Sequence, residues 1–293
     1  MNLIGDFDHY LDQQGKSENT LKAYHRDLID FTGWWEERTG TEFNPNAVDS
    51  RDIVDYRTAQ VTLGAKPATV NRRLTVLRLF WSWGARKGHL VHNPFDTLDK
   101  VRVATVKNVA PRWLEGNEQA ALRRVVRGKG KLRDIAIIET MLGAGLRISE
   151  VVALEVSDLT ISERSGELRV RALAKEVKER TVPLDNRTRQ ALSAWLKMRD
   201  EKLGNKVFYG QRGKITDRAV DYLVRKYAYL AKLEDVSAHT LRHTFGKNLV
   251  DAGVSLDQVA MLMGHESLET TKIYTMPSLA DLHKAVRKAG GEL

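Results

Sequence analysis

Ala238-His239-Thr240-Leu241-Arg242-His243-Thr244-Phe245 is the stretch on which the reading of this 293-residue chain turns. On a helix, positions 239, 242 and 243 share one face, so two imidazoles and a guanidinium point the same way. A His pair at i and i+4 can ligate a metal. However, a hydrolytic zinc motif of that spacing carries Glu directly after the first His, and this chain has Thr240 there. With no cysteine there is no thiolate ligand, disulfide or cysteine nucleophile. Stacked cationic groups suit an anion better than a metal ion, so phosphate is the favoured partner and no metal site is expected.

Three further pieces are weak alone. Gly143-Ala-Gly-Leu-Arg147-Ile-Ser-Glu150 predicts a glycine-broken helix end followed by a newly capped helix, with a guanidinium at the junction. Read singly, Arg147 is a surface arginine. Gly264-His265, Thr270-Thr271 and Tyr274 read singly as a capping or core histidine and a half-buried tyrosine. Lys175 or Lys178 reads singly as part of a solvated hairpin tip.

Together they specify attack on a phosphodiester. That reaction needs its transition-state charge neutralised, which forked arginine donors do well. It also needs a nucleophile and an acid for the leaving oxygen. Arg147, Arg242, His239 and His265 supply the electrostatic site, Tyr274 the nucleophile and a lysine the acid. No magnesium-type carboxylate cluster and no Gly-rich Lys-Ser/Thr loop appears, so the chemistry is expected to run without metal, ATP or other cofactor, storing bond energy in a phosphotyrosine.

The charge supports a nucleic-acid partner. The chain carries +9 at neutral pH, with a pI near 9.6, and basic side chains bind DNA by neutralising phosphates and releasing counterions. From Tyr56 to Phe95 there is no Asp or Glu, yet the stretch holds Arg57, Lys66, Arg72, Arg73, Arg78, Arg86 and Lys87. A solvated helix face normally mixes both signs. Lys66, Arg72, Arg73, Arg78, Arg86 and Lys87 are therefore the candidate DNA contacts.

The expected fold is mainly α with a small antiparallel β-sheet in the C-terminal domain. Ser17-Glu18-Asn19-Thr20 reads as a helix start, followed by Leu21, Tyr24, Leu28, Phe31 and Trp35 at helical spacing. Asp52–Val61 is a second candidate. Pro67 opens a third, whose stripe is Val70, Leu74, Leu77, Phe80 and Trp81; Arg72, Arg73 and Arg86 fall off it, free to point outward. Periodicity fades between Asp99 and Pro111. The predicted domains are thus a helical one at 1–98, an extended basic linker at 99–110, and a second domain at 111–293. That second domain begins with helices at Glu115–Val126 and Leu132–Leu142. Strands follow at Glu167–Leu173 and Arg180–Leu184, and the remainder is helical with breaks at Gly253 and Gly264.

In these motifs the chain strongly resembles the tyrosine recombinases, or phage integrase family, especially compact Xer-like or transposon-encoded members. The family's ordered set is Arg, Lys, His-x-x-Arg, His or Trp, and Tyr. It falls on Arg147, Lys175, His239, Arg242, His265 and Tyr274. Glu176 and Ala174 replace the glycines that often flank the family's lysine, which leaves Lys178 as the alternative to Lys175. Ser17 to Leu28 resembles the opening of the family's core-binding domain, and Asn93-Pro94-Phe95 its end.

The resemblance implies a two-domain C-shaped clamp, with a helical SAM-like core-binding domain and an α+β catalytic domain. Arg147 and Arg242 would grip the scissile phosphate, His239 and His265 would handle hydrogen bonds and protons, and Glu150 and His243 would support them. Tyr274 would form a 3′-phosphotyrosyl link, and Lys175 would protonate the 5′ oxygen. The implied partners are a double-stranded core recombination site and a homo-tetramer on two duplexes, alone or with a related recombinase, working through a Holliday junction. Leu279, Leu282 and Val286 form an apolar stripe expected to dock a C-terminal helix into a neighbour.

Two rival readings are a type IB topoisomerase-like DNA relaxer and a catalytically silent DNA-binding protein. No arm-binding domain is expected before residue 17, and no secretory signal or membrane span is read. The expected location is the cytoplasm, on the nucleoid.

Overall fold

The computed structural model describes residues 2–98, 101–104, 110–172, 179–200, 202, 204–210, 213–265, 267–276, 286–287 and 289–290. The chain divides into two compact units, Met1–Asn108 and Val109–Leu293, each with its own hydrophobic core. The first is helical, and the second is helical with small antiparallel sheets, as the sequence predicts.

In the first unit, α1 (Leu3–Gln13), α2 (Glu18–Thr39), α3 (Ser50–Thr62) and α4 (Pro67–Arg86) surround an aromatic core. Ser17 caps α2 by accepting from the Thr20 amide, and an Asp49–Asp52 capping box starts α3. Phe31 meets Tyr56 and Trp81 edge-on, with ring centroids 5.0 and 5.6 Å apart, a geometry that the aromatic quadrupole favours. The apolar stripe of α4 is wholly buried. α1 is a helix that the sequence reading does not predict, although its Phe7 and Leu11 both enter the core.

Two expectations change here. Arg73 does not point outward. It donates to Asp30 at 2.8 Å and to Gln60, with Tyr56 donating to the same Asp30 carboxylate at 2.6 Å. The physical reason is a pair of acids on α2: buried Asp27, which Arg72 also reaches, and Asp30. The expectation of an extended linker also changes at residues 101–104. Val101 is buried in the first core, and Asn71 of α4 exchanges two 2.9 Å hydrogen bonds with the Val103 backbone. Residues 101–104 therefore pack with the helical unit.

In the second unit, α5 (Gly116–Lys129), α6 (Leu132–Ala144) and α8 (Asn186–Met198) frame the core, together with α9 (Asp217–Leu230) and α10 (Ala238–Asp251). α7 (Ile148–Ala153) leads into the antiparallel sheet β1 (Leu159–Ile161), β2 (Gly166–Val170), β3 (Arg180–Pro183), in the order β1-β2-β3. β3 registers Val182 against Leu168 and Arg180 against Val170. β4 (Tyr209–Gly210) and β5 (Gly213–Lys214) form a separate short pair. α11 (Leu256–Met263) and α12 (Leu268–Thr271) then lead into a 3₁₀ turn over Lys272–Thr275. Thr244 ties α10 to the chain ahead of α5: its hydroxyl accepts from the Leu114 amide and donates to the Thr240 carbonyl, each at 2.8 Å.

Phe31→Ala should destabilise the first unit by about 3–5 kcal/mol, the usual range for truncating a buried aromatic. Urea unfolding followed by tryptophan fluorescence would show this as an earlier transition; a midpoint equal to wild type would contradict the core assignment.

Candidate active site

The site is assembled where α6 ends, α10 begins and α11 stops. Arg147 is the N-cap residue of α7, and Glu150, three residues on, accepts from the Arg147 amide at 2.7 Å. The same glutamate accepts from Arg147 Nη1 at 3.0 Å. It is only 4% exposed. Arg180, inward-facing on β3, delivers a fork to both Glu150 oxygens at 2.9 and 2.8 Å. Burial alone would raise the Glu150 carboxyl. The Arg180 hydrogen bonds and charge, the Arg147 amide and the Arg242 charge outweigh it and hold the group below the ordinary range.

Three consecutive carbonyls at the C-terminal end of α11 complete the cluster. Arg180 Nε donates to Leu262 at 2.8 Å, Arg242 Nη2 to Met263 at 2.6 Å and Arg147 Nη2 to Gly264 at 2.7 Å. These are the carbonyls a helix leaves unpaired at its negative end, so guanidiniums are their natural partners. Arg242 also donates to Gly145 at 2.6 Å, tying α10 to the end of α6. Gly264 takes φ +64°, and a Cβ there would come within 2.7 Å of Arg180 Nη1, so both conformation and space call for glycine.

Tyr274, on the 3₁₀ turn, is 1% exposed and hydrogen-bonds His243 Nδ1 at 3.0 Å. The His265 ring lies nearly parallel to it, with centroids 6.2 Å apart and planes 16° apart, and His265 Nδ1 pairs with Thr271 Oγ1 at 2.9 Å. His239 stands edge-on to His243, with centroids 5.3 Å apart. Gly246 of α10 leaves room for Tyr274: a Cβ there would come within 2.7 Å of the ring. Burial pushes the Tyr274 phenol up to about 12, against the opposing pull of Arg242 and Arg147. Burial and then the neighbouring positive groups push His243 down to about 4, and likewise His265. Neutral His243 is thus an acceptor for the phenolic hydrogen.

The structure brings together Arg147, Glu150, Arg242, His243, His265 and Tyr274, with exposed His239 beside His243. Lys175, Lys178, Leu279 and Leu282 lie outside the described residues, while Val286 is exposed. Lys66, Arg72, Arg78, Arg86 and Lys87 are exposed in the first unit, although Arg72 also pairs with Asp27; Arg73 is the half-buried exception. Sequence reading misses Arg180, whose only local signal is its inward phase with Val182 in a four-residue strand. It also misses the outer stripe of α9, where Arg218, Tyr222, Arg225 and Tyr229 are all exposed. Asp221 of α9 accepts from the Ala238 amide at 3.0 Å, which sets that helix against the start of α10. Among the described residues no cluster of three or more candidate metal ligands occurs, and no helix is long and apolar enough to cross a membrane.

Comparison with known proteins identifies the family. Residues 112–280 match the phage integrase family, and residues 4–88 match its N-terminal SAM-like domain. Tyrosine recombinase XerC of Thermodesulfovibrio yellowstonii is 33% identical over 94% of this chain and 92% of its own length. Tyrosine recombinase XerD of Ralstonia nicotianae is 33% identical over 90% of this chain and 85% of its own. Among solved structures, the Tn1549 transposon integrase in complex with a circular intermediate DNA is similar in fold. Its TM-score is 0.74 at 19% identity, over 99% of each chain. The XerH site-specific recombinase bound to its difH substrate gives 0.71 at 20% identity, over 92% of this chain and 79% of the other.

Two outcomes follow from the geometry. Gly246→Ala should displace the Tyr274 ring and cost about 1–3 kcal/mol of stability, as overpacking does; thermal unfolding measures it, and an unchanged midpoint would count against the tight approach. His243 and His265 titrate near 4 when folded, against 6.5 unfolded. Between those values the unfolded chain binds more protons, so their contribution is intact above pH 6.5 and is lost as pH falls toward 4. His243→Gln with His265→Gln should flatten that part of the stability–pH curve, and an equally steep curve would refute the assignment.

Proposed function

The chain belongs to the phage integrase family and is a tyrosine recombinase, a DNA strand-transferase, and from that premise we propose the following assignment of roles. Arg147 and Arg242 grip the non-bridging oxygens of a scissile phosphate. Tyr274 Oη attacks phosphorus, and its proton passes to His243 Nδ1, the acceptor already 3.0 Å away. The bond from phosphorus to the 5′ oxygen breaks, and Lys175 protonates that oxygen. A 3′-phosphotyrosyl link and a free 5′-hydroxyl result. Religation runs the same steps backwards with the 5′-hydroxyl of another strand as nucleophile, so the phosphotyrosine conserves the bond energy. His265, held by Thr271 and lying along Tyr274, and His239 add donors as charge builds on phosphorus.

The observation that carries this reading is the junction itself. Two guanidiniums are held there against one carboxylate, and the charge of both reaches a buried tyrosine that is hydrogen-bonded to an imidazole. Neither rival reading has an observation in its favour: the relatives are named as recombinases, and each described member of the ordered set is the residue that strand transfer uses.

The partner is a double-stranded core recombination site. The exposed α4 residues Lys66, Arg72, Arg78, Arg86 and Lys87 meet its phosphates from the first unit. The α9 stripe of Arg218, Tyr222, Arg225 and Tyr229 meets DNA from the second, mixing charge with rings that pack on sugar and base edges. Four protomers act on two duplexes through a Holliday junction, alone or with a related recombinase, on nucleoid DNA in the cytoplasm.

Nicked suicide duplexes carrying candidate core sites, incubated with the protein in EDTA and without ATP, should yield an adduct that survives a denaturing gel. Tyr274→Phe should abolish it; an adduct that persists in this variant would refute the nucleophile. Arg86→Ala with Lys87→Ala should weaken binding alike on every sequence. It should also lower the slope of log affinity against log salt by about 0.9 for each phosphate that is no longer neutralised. An unchanged slope would place those residues away from DNA.

A further inference from the structure

We propose that Arg180, which lies outside the ordered strand-transfer set, is a positioning residue that orients Arg147 and Arg242 toward phosphate. The inference rests on the roles given above to Arg147, Arg242 and Tyr274. Arg180 is 8% exposed, so its guanidinium is not presented for direct contact with a DNA backbone. Its three donor nitrogens are all used inside the protein: Nη1 and Nη2 on the two oxygens of Glu150, and Nε on the Leu262 carbonyl.

Each Glu150 oxygen is shared. Oε1 takes Arg180 Nη1 and Arg147 Nη1, while Oε2 takes Arg180 Nη2 and the Arg147 amide, with Arg242 Nη1 3.9 Å away. Arg180 therefore fixes the plane of the carboxylate against which Arg147 is held. Its Nε fixes the first of the three successive carbonyls, and the next two hold Arg242 and Arg147. One guanidinium thus links both supports of the gripping pair.

Charge leads to the same role. Arg147, Arg180 and Arg242 against Glu150 leave a net charge of +2 in the cluster. Without Arg180, the buried carboxylate would turn fully onto Arg147 and Arg242 and cancel much of the field meant for phosphate. Lysine cannot substitute, because a single ammonium cannot fork across two carboxylate oxygens and also reach a carbonyl at a fixed angle.

The test uses full-length wild-type protein, Arg180→Lys and Arg180→Gln on a nicked suicide duplex. The scissile group is either the normal phosphate or a neutral methylphosphonate. DNA affinity is read by fluorescence anisotropy, and single-turnover adduct formation by denaturing gel. On phosphate, affinity should stay within about twofold while the adduct rate falls about 10²-fold, the scale of a small misplacement of catalytic groups. On methylphosphonate the deficit should shrink, because a neutral group depends less on oriented positive charge. A merely structural defect would slow both substrates equally, so an equal deficit overturns the proposal. So does a rate within about threefold of wild type on phosphate. If neither variant melts cooperatively or binds DNA, Arg180 serves the fold rather than the orientation, and the proposal is again overturned. Wild-type protein that binds the duplex but forms no adduct sinks the assignment of Tyr274, and this inference with it.

Discussion

A single buried carboxylate organises the second unit. Glu150 is almost without solvent, and an isolated charge in that position would cost several kcal/mol. It is stable there because Arg147 and Arg180 saturate both oxygens and Arg242 stands close by. The dependence is mutual: three guanidiniums crowded into one junction repel each other, and the carboxylate with the end of α11 offsets that repulsion. Sheet, helix junction and helix end are thereby fixed to one another by charge as well as by packing. The remaining positive charge is what a phosphate ester passing through a more negative transition state requires.

The first unit applies a related rule with a different outcome. Its long acid-free stretch would be a line of unpaired positive charge if every arginine faced water. Instead Asp27 and Asp30, from the neighbouring α2, draw in Arg73 and partly engage Arg72. Tyr56 and Gln60 of α3 close the network, so the same contacts that order three helices also remove one cation from the surface. The other basic side chains, spread along α4 and its ends, keep the exposed charge.

The legible part of the site is the part written in local spacing. His239, Arg242 and His243 declare themselves because helical periodicity puts them together. Arg147 and Glu150 do so because a glycine break and a capping box are short-range signals. Tyr274 is legible through its neighbours Gly264, His265 and Thr271 rather than by itself. Arg180 is not, because an arginine in a short alternating strand looks the same whether its partner is water or a buried glutamate thirty residues earlier. Arg73 misleads for the same reason: its partner Asp30 lies 43 residues away. The Asn71–Val103 pairing likewise depends on two segments meeting in space, and periodicity stops before Val103. Pattern reading finds faces; it does not find which distant face each one meets.

The condition of the Tyr274 phenol follows from the same balance of burial and charge. A phenol pushed up to about 12 is fully protonated at any ordinary pH, and burial keeps it from solvent. The arginines favour the phenolate, but desolvation is the larger effect. The acceptor beside it is an imidazole kept neutral by burial and by nearby positive charge, so the hydroxyl has a partner without being deprotonated. The DNA-free protein therefore holds Tyr274 as the phenol at ordinary pH. On the role proposed for Tyr274, the phenolate forms as the bond to phosphorus forms, when the phosphate's negative charge offsets the guanidiniums and the imidazole can accept a proton at less electrostatic cost. On that proposal a tyrosine held protonated by burial stays unreactive until a phosphate arrives, because the substrate's charge completes the electrostatics of attack.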